Sequence, residues 1–188
     1  DVPKEPMFFA KLPNALTAHN ETILIPSWLD SRVDHEGELA VIIGKFTKEV
    51  SPKEAKQCIA GYTIANDVTA RKIQGQDRDK KFPWLRSKNL DTFLPVGPYL
   101  TPAEFIQDPQ ELDLTVQVNG ETKQKATTAD MVFSVCDIVS YLSRWVTLAP
   151  GDVILTGTPE GVSPIRDGDR VTVEITGLGR LENTVQTA

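Results

Sequence analysis

The feature that most constrains the fold is a series of short segments rich in Val, Ile, Leu and Thr, bounded by Gly, Pro, Asn or Asp. Such segments are typical of β-strands, and the residues that bound them are typical of turns. The Gly-Asp-x-Val-x-Val pattern at 168–173 is typical of a strand that enters a rolled or barrel-like sheet. We therefore predict strands at Thr22–Pro26, Glu38–Ile43, Tyr62–Asn66, Leu112–Asn119, Val153–Thr156, Arg170–Ile175 and Arg180–Val185.

Helical signals occur at two places. Ser51–Ala60 opens with a Ser cap, Pro at the first helical position and Glu three residues after the cap. Val135–Arg144 has apolar residues at helical spacing. The polar stretch Gln74–Lys81 is predicted to be an exposed loop. Since no linker rich in Gly, Ser or Pro divides the chain, we predict one α+β, mostly β domain over residues 1–188, with a few peripheral helices.

Charge and cysteine content limit the expected partners and surroundings of the chain. It has 20 Lys and Arg against 26 Asp and Glu, a net charge of −6, so nucleic acid and anionic membranes are not expected as partners. Cys58 and Cys136 match no metal-binding spacing, and two buried free thiols are favoured over a disulfide. No apolar run approaches the ~20 residues of a membrane-spanning helix, and no signal peptide is visible. The chain is therefore expected in the cytoplasm.

Two glutamates, Glu36 and Glu38, precede and open a predicted strand. Because side chains alternate along a strand, both share one face with Ala40, while Leu39 and Val41 share the other. Two carboxylates on one face of a strand that leads into the core are costly unless a positive group lies between them. A surface strand with two solvated glutamates is the alternative, and these residues alone do not decide between the two.

A third carboxylate, Asp67, directly follows the strand predicted at Tyr62–Asn66. If the two strands are neighbours, Asp67 completes a three-oxygen face with Glu36 and Glu38. Hard divalent cations such as Mg²⁺ or Mn²⁺ favour all-oxygen sets, with water or substrate in the remaining positions. Zinc is not expected, because the set offers neither sulfur nor an obvious pair of histidines. We predict a Mg²⁺ or Mn²⁺ site at these three residues.

Groups suited to an anionic substrate follow this third carboxylate. Arg71 comes soon after it, Gln74 adds an amide donor, and Lys88 lies in a mixed charged and apolar segment. Each of the three, taken alone, is more typical of a surface than of a binding site. A predicted buried strand also leads into Thr-Gly-Thr-Pro (156–159), whose glycine permits close backbone approach and whose hydroxyls and N–H groups suit a carboxylate. A plain strand-to-loop turn is the alternative there.

Four motifs occur in order along the chain. They are Glu-x-Glu-Leu from residue 36, Gly-Tyr-x-x-x-Asn-Asp-x-Thr-Ala-Arg from residue 61, Lys-x-x-Asp-x-Phe-x-Pro-x-Gly-Pro from residue 88, and Gly-Asp-x-Ile-x-Thr-Gly-Thr-Pro from residue 151. With the segments 3–11 and 118–121, they resemble the fumarylacetoacetate hydrolase family over essentially the whole chain. Four motifs in register make this resemblance far more specific than any one of them.

The resemblance implies a mixed β-sandwich roll, usually paired as a homodimer, with Mg²⁺ or Mn²⁺ bound by Glu36, Glu38 and Asp67. Its substrates are small 2-oxo or 2,4-dioxo acids. Lys88 and Arg71 are the predicted catalytic residues, because their charges would neutralise a developing enolate. The predicted substrate-binding residues, including one on the pocket wall, are Lys11, Arg71, Gln74, Lys88, Gly157 and Thr158.

The match to the family departs in one respect. Family hydrolases carry a His and a Glu in a short lid segment that precedes the position of Asp1, so the general base is expected upstream of Asp1. His35 falls where the family often has an aromatic residue or His, and we expect it to be structural. His19 falls in a polar stretch and is expected to be solvated.

The predicted function is hydrolysis of a C–C bond in a 2,4-dioxo acid of the acylpyruvate or fumarylpyruvate type, through an enolate that the metal stabilises. The same enolate chemistry serves an isomerase or decarboxylase of hydroxymuconate-like or oxaloacetate-like diacids, and the residues do not separate these reactions. A non-catalytic oxo-acid binding module is the alternative from outside the enzymes.

Overall fold

The computed structural model describes residues 3–188, in which β-strands predominate. The strands are β1 Leu16–Thr17, β2 Thr22–Ile25, β3 Val33–Asp34, β4 Gly37–Ile43, β5 Ile59–Asn66, β6 Thr69–Ala70, β7 Leu94–Pro102, β8 Asp113–Val118, β9 Glu121–Thr127, β10 Val153–Leu155, β11 Arg170–Ile175 and β12 Gly179–Thr187. The α-helices are α1 Pro52–Ala55, α2 Arg71–Asp79, α3 Leu85–Lys88 and α4 Val135–Trp145. Short 3₁₀ turns lie at Pro13–Ala15, Lys56–Cys58, Ala103–Phe105 and Thr128–Asp130.

Two five-stranded sheets form the body of the fold. One has the order β1-β7-β5-β4-β10 and the other β2-β12-β11-β8-β9, with β3 and β6 as a separate pair. Both sheets are mixed, because β1 pairs with β7 and β2 with β12 in parallel, whereas the other pairs are antiparallel. The predicted mixed, mostly β fold with a few helices is confirmed.

Strand β4 of the first sheet has two faces that pack in different places. Leu39, Val41 and Ile43 pack in the large core shared by both sheets, whereas Ala40 packs in a small separate cluster. The predicted alternation is therefore confirmed for these residues. At the start of β4, a Cβ on Gly37 would overlap the Val116 side chain of the second sheet. Glycine at this position lets the strand begin in direct contact with that sheet.

The predicted helices are confirmed in type, and one is shorter than expected. Helix α4 begins at a capping box between Ser134 and Asp137, and its observed range, Val135–Trp145, matches the prediction. The capping box that starts α1, between Ser51 and Glu54, is also present. The α-helix ends at Ala55, however, because Ile59 pairs with Ile43 and starts β5. Strand pairing thus overrides the local helical preference.

The predicted exposed loop at Gln74–Lys81 is wrong, because most of it belongs to α2. Side-chain contacts attach this polar helix to the rest of the protein. Ile73 packs against the large core, and the fully buried Asp77 accepts a hydrogen bond from Arg86 Nε at 2.8 Å. These tertiary contacts stabilise a helix whose composition alone does not predict one.

The predicted strands are all present, each within three residues of its predicted bounds, and five strands were not predicted: the two-residue strands β1, β3 and β6 and the longer strands β7 and β9. Strand β7 contains Pro95, Gly97 and Pro98, which argue against a strand in sequence terms. Strand β9 is polar along most of its length, although the Asn119-Gly120 turn before it is a hairpin signal. Both strands lie in their sheets because neighbouring strands supply their hydrogen bonds.

The state of the cysteines and the lengths of the helices test two of the expectations from the sequence. Cys58 and Cys136 are free, as predicted, although Cys136 is half-buried and only Cys58 is buried. Among residues 3–188, no helix is both long and apolar enough to span a membrane. The cytoplasmic location stays a prediction.

Candidate metal centre and active-site cavity

Three carboxylates meet where β4 begins and β5 ends. The two strands are antiparallel, with Gly37 opposite Asn66, so Asp67 emerges beside Glu36. The Asp67 N–H donates to the Glu36 carbonyl oxygen at 2.8 Å, and the Glu36 N–H donates to Asn66 Oδ1 at 2.9 Å. Oxygens of Glu36, Glu38 and Asp67 lie within 4.8 Å of one another. Strand register therefore brings the three predicted ligands together.

Burial decides between the two interpretations of the glutamates. Glu36, Glu38 and Asp67 are 6%, 3% and 2% exposed, so the alternative of a solvated surface strand is wrong. Burial, followed by the negative charges of Asp67 and Glu36, raises the pKa of Glu38 to about 8. A closely spaced, buried set of carboxylate oxygens fits a hard divalent cation, which would compensate this repulsion. The choice of Mg²⁺ or Mn²⁺ stays a prediction.

Two lysines lie directly against this carboxylate set. Lys88 Nζ donates to Glu36 Oε2 at 2.7 Å and to Asp67 Oδ2 at 2.6 Å. Burial lowers the pKa of Lys88, but the charges of Asp67 and Glu36 outweigh burial and the pKa is raised overall. Lys11 Nζ donates to Asp67 Oδ1 at 2.7 Å, to the Phe93 carbonyl at 3.1 Å and to the Lys88 carbonyl. For Lys11 burial dominates, and its pKa is lowered.

Arg71 lies behind Glu36 and connects it to Gln74. Its guanidinium donates to Glu36 Oε1 at 2.5 Å, to Gln74 Oε1 at 2.7 Å and to the fully buried Asp34 Oδ2 at 2.8 Å. With its oxygen held by Arg71, the Gln74 amide keeps its N–H₂ donors for another partner. The planar guanidinium of Arg71 therefore fixes the positions of the Glu36, Gln74 and Asp34 side chains relative to one another.

The loop 156–159 lies against β4. The Gly157 N–H donates to Glu38 Oε2 at 2.6 Å. The Thr156 hydroxyl donates to the Leu39 carbonyl and the Thr158 hydroxyl to the Gly37 carbonyl, both at 2.9 Å. These hydroxyl protons are therefore already used within the protein, so a substrate carboxylate would have to accept from backbone N–H groups of the loop. Direct substrate binding by Gly157 and Thr158 stays a prediction.

A cavity of about 820 Å³ opens over the carboxylates. Its described lining does not include Arg71, which places that residue behind the ligands rather than in the cavity. Aromatic side chains that the sequence did not indicate also line it: Phe9 and Trp84 pack edge to face, and Lys88 Nζ lies 5.3 Å from the Phe9 ring centre. The predicted site residues that line the cavity are Lys11, Glu36, Glu38, Asp67, Gln74, Lys88, Gly157 and Thr158.

Neither histidine faces the cavity. His35 is fully buried between Gln124 Oε1 at 3.0 Å and Ser163 Oγ at 2.9 Å, as expected for a structural residue, and burial lowers its pKa. His19 is half-buried, and its Nδ1 accepts the Glu182 N–H at 3.0 Å, so the expectation of a solvated side chain is wrong. Neither residue is placed to activate a water molecule in the cavity.

Sequence comparison identifies a family and similar enzymes. The family described as "Fumarylacetoacetate (FAA) hydrolase C-terminal" matches residues 1–186. Oxaloacetate tautomerase YcgM of Escherichia coli (strain K12) is 42% identical over 176 residues, covering 94% of this chain and 80% of that protein. The family match spans all the residues of the candidate site.

Solved structures share the fold. The 5-carboxymethyl-2-hydroxymuconate delta-isomerase from Mycobacterium smegmatis is 41% identical, with a TM-score of 0.93 over 100% of this chain and 72% of that chain. Fumarylpyruvate hydrolase from Pseudomonas aeruginosa, solved in complex with Mn²⁺ and pyruvate, is 35% identical, with a TM-score of 0.92 over 98% of this chain and 81% of that chain. Proteins similar to this chain thus include a tautomerase, an isomerase and a hydrolase.

Proposed function

The chain belongs to the fumarylacetoacetate hydrolase family of enzymes, and we propose that it forms the enolate of a small 2-oxo acid with the help of a divalent cation. The observation that carries this proposal is the position of Lys88, a buried cation bonded to two carboxylates of a three-carboxylate cluster inside one cavity. This arrangement combines a set of metal ligands with a fixed positive charge, and both suit an anion that develops on the substrate.

Different residues of the site are proposed to bind the metal, stabilise the enolate charge and bind the substrate carboxylate. Glu36, Glu38 and Asp67 would hold Mg²⁺ or Mn²⁺, which supplies a Lewis acid that polarises the 2-oxo group when bound. The Lys88 ammonium stays protonated, because Asp67 and Glu36 raise its pKa, and its charge favours the enolate over the neutral keto form. Gln74 offers its free amide donors to the substrate carboxylate.

Hydrolysis of a 2,4-dioxo acid of the acylpyruvate or fumarylpyruvate type is the first reaction proposed from this enolate. Water adds to the distal carbonyl, the C–C bond breaks, and the electron pair of that bond forms the pyruvate enolate, which is then protonated. The similarity to a hydrolase solved with Mn²⁺ and pyruvate supports this reaction. It requires a base for the water, and neither His19 nor His35 lines the described cavity.

Tautomerisation or isomerisation is the second candidate, and two observations favour it. The E. coli tautomerase and the M. smegmatis isomerase are 42% and 41% identical to this chain, against 35% for the P. aeruginosa hydrolase. Proton transfer between carbon and oxygen also needs no activated water, so it demands less of the described residues than hydrolysis does. Decarboxylation of an oxaloacetate-like acid uses the same enolate.

A substrate panel distinguishes these reactions. The full-length protein is assayed with Mn²⁺ or Mg²⁺ on acylpyruvates, oxaloacetate and hydroxymuconate-type diacids. Pyruvate release without CO₂ indicates hydrolysis, CO₂ release indicates decarboxylation, and an ultraviolet change without fragmentation indicates tautomerisation. Glu38→Gln is expected to lose activity and Mn²⁺ binding, whereas Glu121→Gln, an exposed residue of β9, keeps both. Saturable oxalate binding with Mn²⁺ but no turnover of any oxo-acid would replace the proposal with a binding module.

A further inference from the structure

We propose that Gln124 is a positioning residue that fixes the metal-binding start of β4 and the loop 156–159 relative to each other. This inference rests on the proposed function, because it concerns the site that binds the cation and the oxo-acid. Gln124 lies on β9, the polar strand that the sequence did not predict, and is 1% exposed. Gln124 lies outside all the motifs that resemble the family, so the sequence alone gives no sign of a role in the site.

The Gln124 side chain makes four hydrogen-bonded contacts, all toward the site. Its Oε1 accepts the Gly37 N–H at 3.1 Å and faces His35 Nδ1 at 3.0 Å. Its Nε2 donates to Thr158 Oγ1 and to the Pro159 carbonyl oxygen, both at 2.8 Å. One amide therefore spans the backbone of β4 on one side and the loop on the other.

Chemistry fixes the orientation of this amide. A carbonyl oxygen such as that of Pro159 only accepts, and a backbone N–H such as that of Gly37 only donates, so Oε1 and Nε2 cannot be exchanged. It follows that His35 Nδ1 carries a proton and donates it to Oε1, and His35 Nε2 lies 2.9 Å from the Ser163 hydroxyl oxygen.

Two residues that Gln124 contacts, Gly37 and Thr158, are adjacent in the chain to residues of the predicted site. Gly37 stands between the metal ligands Glu36 and Glu38 in the chain. Thr158 follows Gly157, whose N–H donates to Glu38 at 2.6 Å. Partners behind a metal ligand orient it, and small displacements in such sites have large effects on binding and rate.

The packing around Gln124 supports a role in placing the loop rather than in filling the core. Gly161, with a φ of +97°, lies so close to β9 that an added Cβ would overlap the Lys123 carbonyl. The segment directly after the loop 156–159 therefore lies on β9 next to Gln124. Burying an amide carries a desolvation cost that an apolar side chain of similar size avoids. Here each polar atom of that amide is bonded to an element of the site.

The test compares Gln124→Met, which keeps the length but removes every hydrogen bond, with Gln117→Met on the neighbouring strand β8. Mn²⁺ affinity by calorimetry, KM, kcat and Tm are measured for both variants. Gln124→Met is expected to weaken Mn²⁺ binding about 10- to 100-fold and to raise KM more than it lowers kcat. Gln117→Met keeps wild-type Mn²⁺ affinity and KM, because the hydrogen bonds to β4 and to the loop 156–159 come from Gln124 and not from Gln117.

A double-mutant cycle tests whether Gln124 acts through Thr158. Because both residues belong to one hydrogen-bond network, the effects of Gln124→Met and Thr158→Val on KM are expected to be less than additive. If Gln124→Met does not fold, Thr158→Val still decides through Mn²⁺ affinity, which a direct contact of Thr158 with substrate would leave unchanged: Thr158→Val should weaken Mn²⁺ binding about tenfold, and Thr158→Ser should restore it.

Two results would overturn the proposal. One is a lower Tm for Gln124→Met with unchanged Mn²⁺ affinity and KM, which indicates a purely structural role. The other is Thr158→Val with wild-type Mn²⁺ affinity, or fully additive effects in the double mutant. A wild-type protein that binds Mn²⁺ but turns over no oxo-acid defeats the proposed function alone, and weakened Mn²⁺ binding by Gln124→Met would then still support the positioning role.

Discussion

The Lys88 ammonium lies 2.6 Å from the Asp67 carboxylate, and both side chains are only 3% exposed. The same ammonium also bonds Glu36, so one buried cation offsets two of the three carboxylates proposed to bind metal. A buried charge without its partner is strongly destabilising, which makes this lysine a structural as well as a chemical part of the site.

Replacing Lys88 by Met is expected to lower the free energy of unfolding by about 3–5 kcal/mol and to abolish turnover. Mn²⁺ binding should persist, because all three carboxylates remain and the metal supplies positive charge. Mn²⁺ should therefore raise the Tm of this variant more than it raises that of the wild type. Thermal unfolding with and without Mn²⁺ measures this, with the exposed Lys53→Met as control. Wild-type stability and turnover in Lys88→Met would contradict the prediction.

Glu38 is expected to make the metal-free protein less stable as pH rises. Its pKa is raised from 4.5 to about 8, mainly by burial, so the folded protein keeps a proton that the unfolded chain releases. The stabilisation from this group is complete below the unfolded pKa and is lost as pH rises through the folded pKa. Glu38→Gln should remove this loss, and Tm measured against pH in EDTA tests it. An identical pH profile for both proteins would contradict it.

Arg71 is expected to act on metal binding through Glu36. Lysine cannot reproduce the three contacts of its guanidinium, so Arg71→Lys should weaken Mn²⁺ binding about 10- to 100-fold. If Arg71 acts only through metal binding, saturating Mn²⁺ should restore the wild-type KM in Arg71→Lys. A KM that stays raised at saturating Mn²⁺ instead supports the predicted direct contact of Arg71 with substrate. Arg32→Lys is the matched control, because the Arg32 side chain is 53% exposed and its ion pair is with Asp34 rather than with a predicted metal ligand.

Two glycines should respond in opposite directions to Ala. Gly75 lies inside α2 with open space around it, so Gly75→Ala should raise the free energy of unfolding by about 0.5–1 kcal/mol. Gly161 has a positive φ and directly faces the Lys123 carbonyl, so Gly161→Ala should lower it by about 1–3 kcal/mol. Denaturant unfolding of both variants measures the changes. Equal effects of the two substitutions would contradict the description of α2 and of the loop.

The accuracy of the sequence predictions depended on whether local residues controlled the structure. The capping box before α4 and the alternation along β4 are local patterns, and both were predicted correctly. Helix α2 and strand β9 are polar, and both are stabilised by contacts with residues distant in the chain. Their local composition favours loops, so local patterns do not predict them.

The sequence by itself determined which chemical groups the site contains. The two-residue spacing of Glu36 and Glu38, Asp67 at the end of the next strand, and Lys88 in its motif were visible without a structure. Only the tertiary structure decided that these groups are buried together, that Arg71 lies behind Glu36 and that Gln124 joins β4 to the loop. The physical reason is that local patterns fix the direction of side chains, whereas contacts between residues such as Gly37 and Gln124 depend on strand pairing and sheet packing.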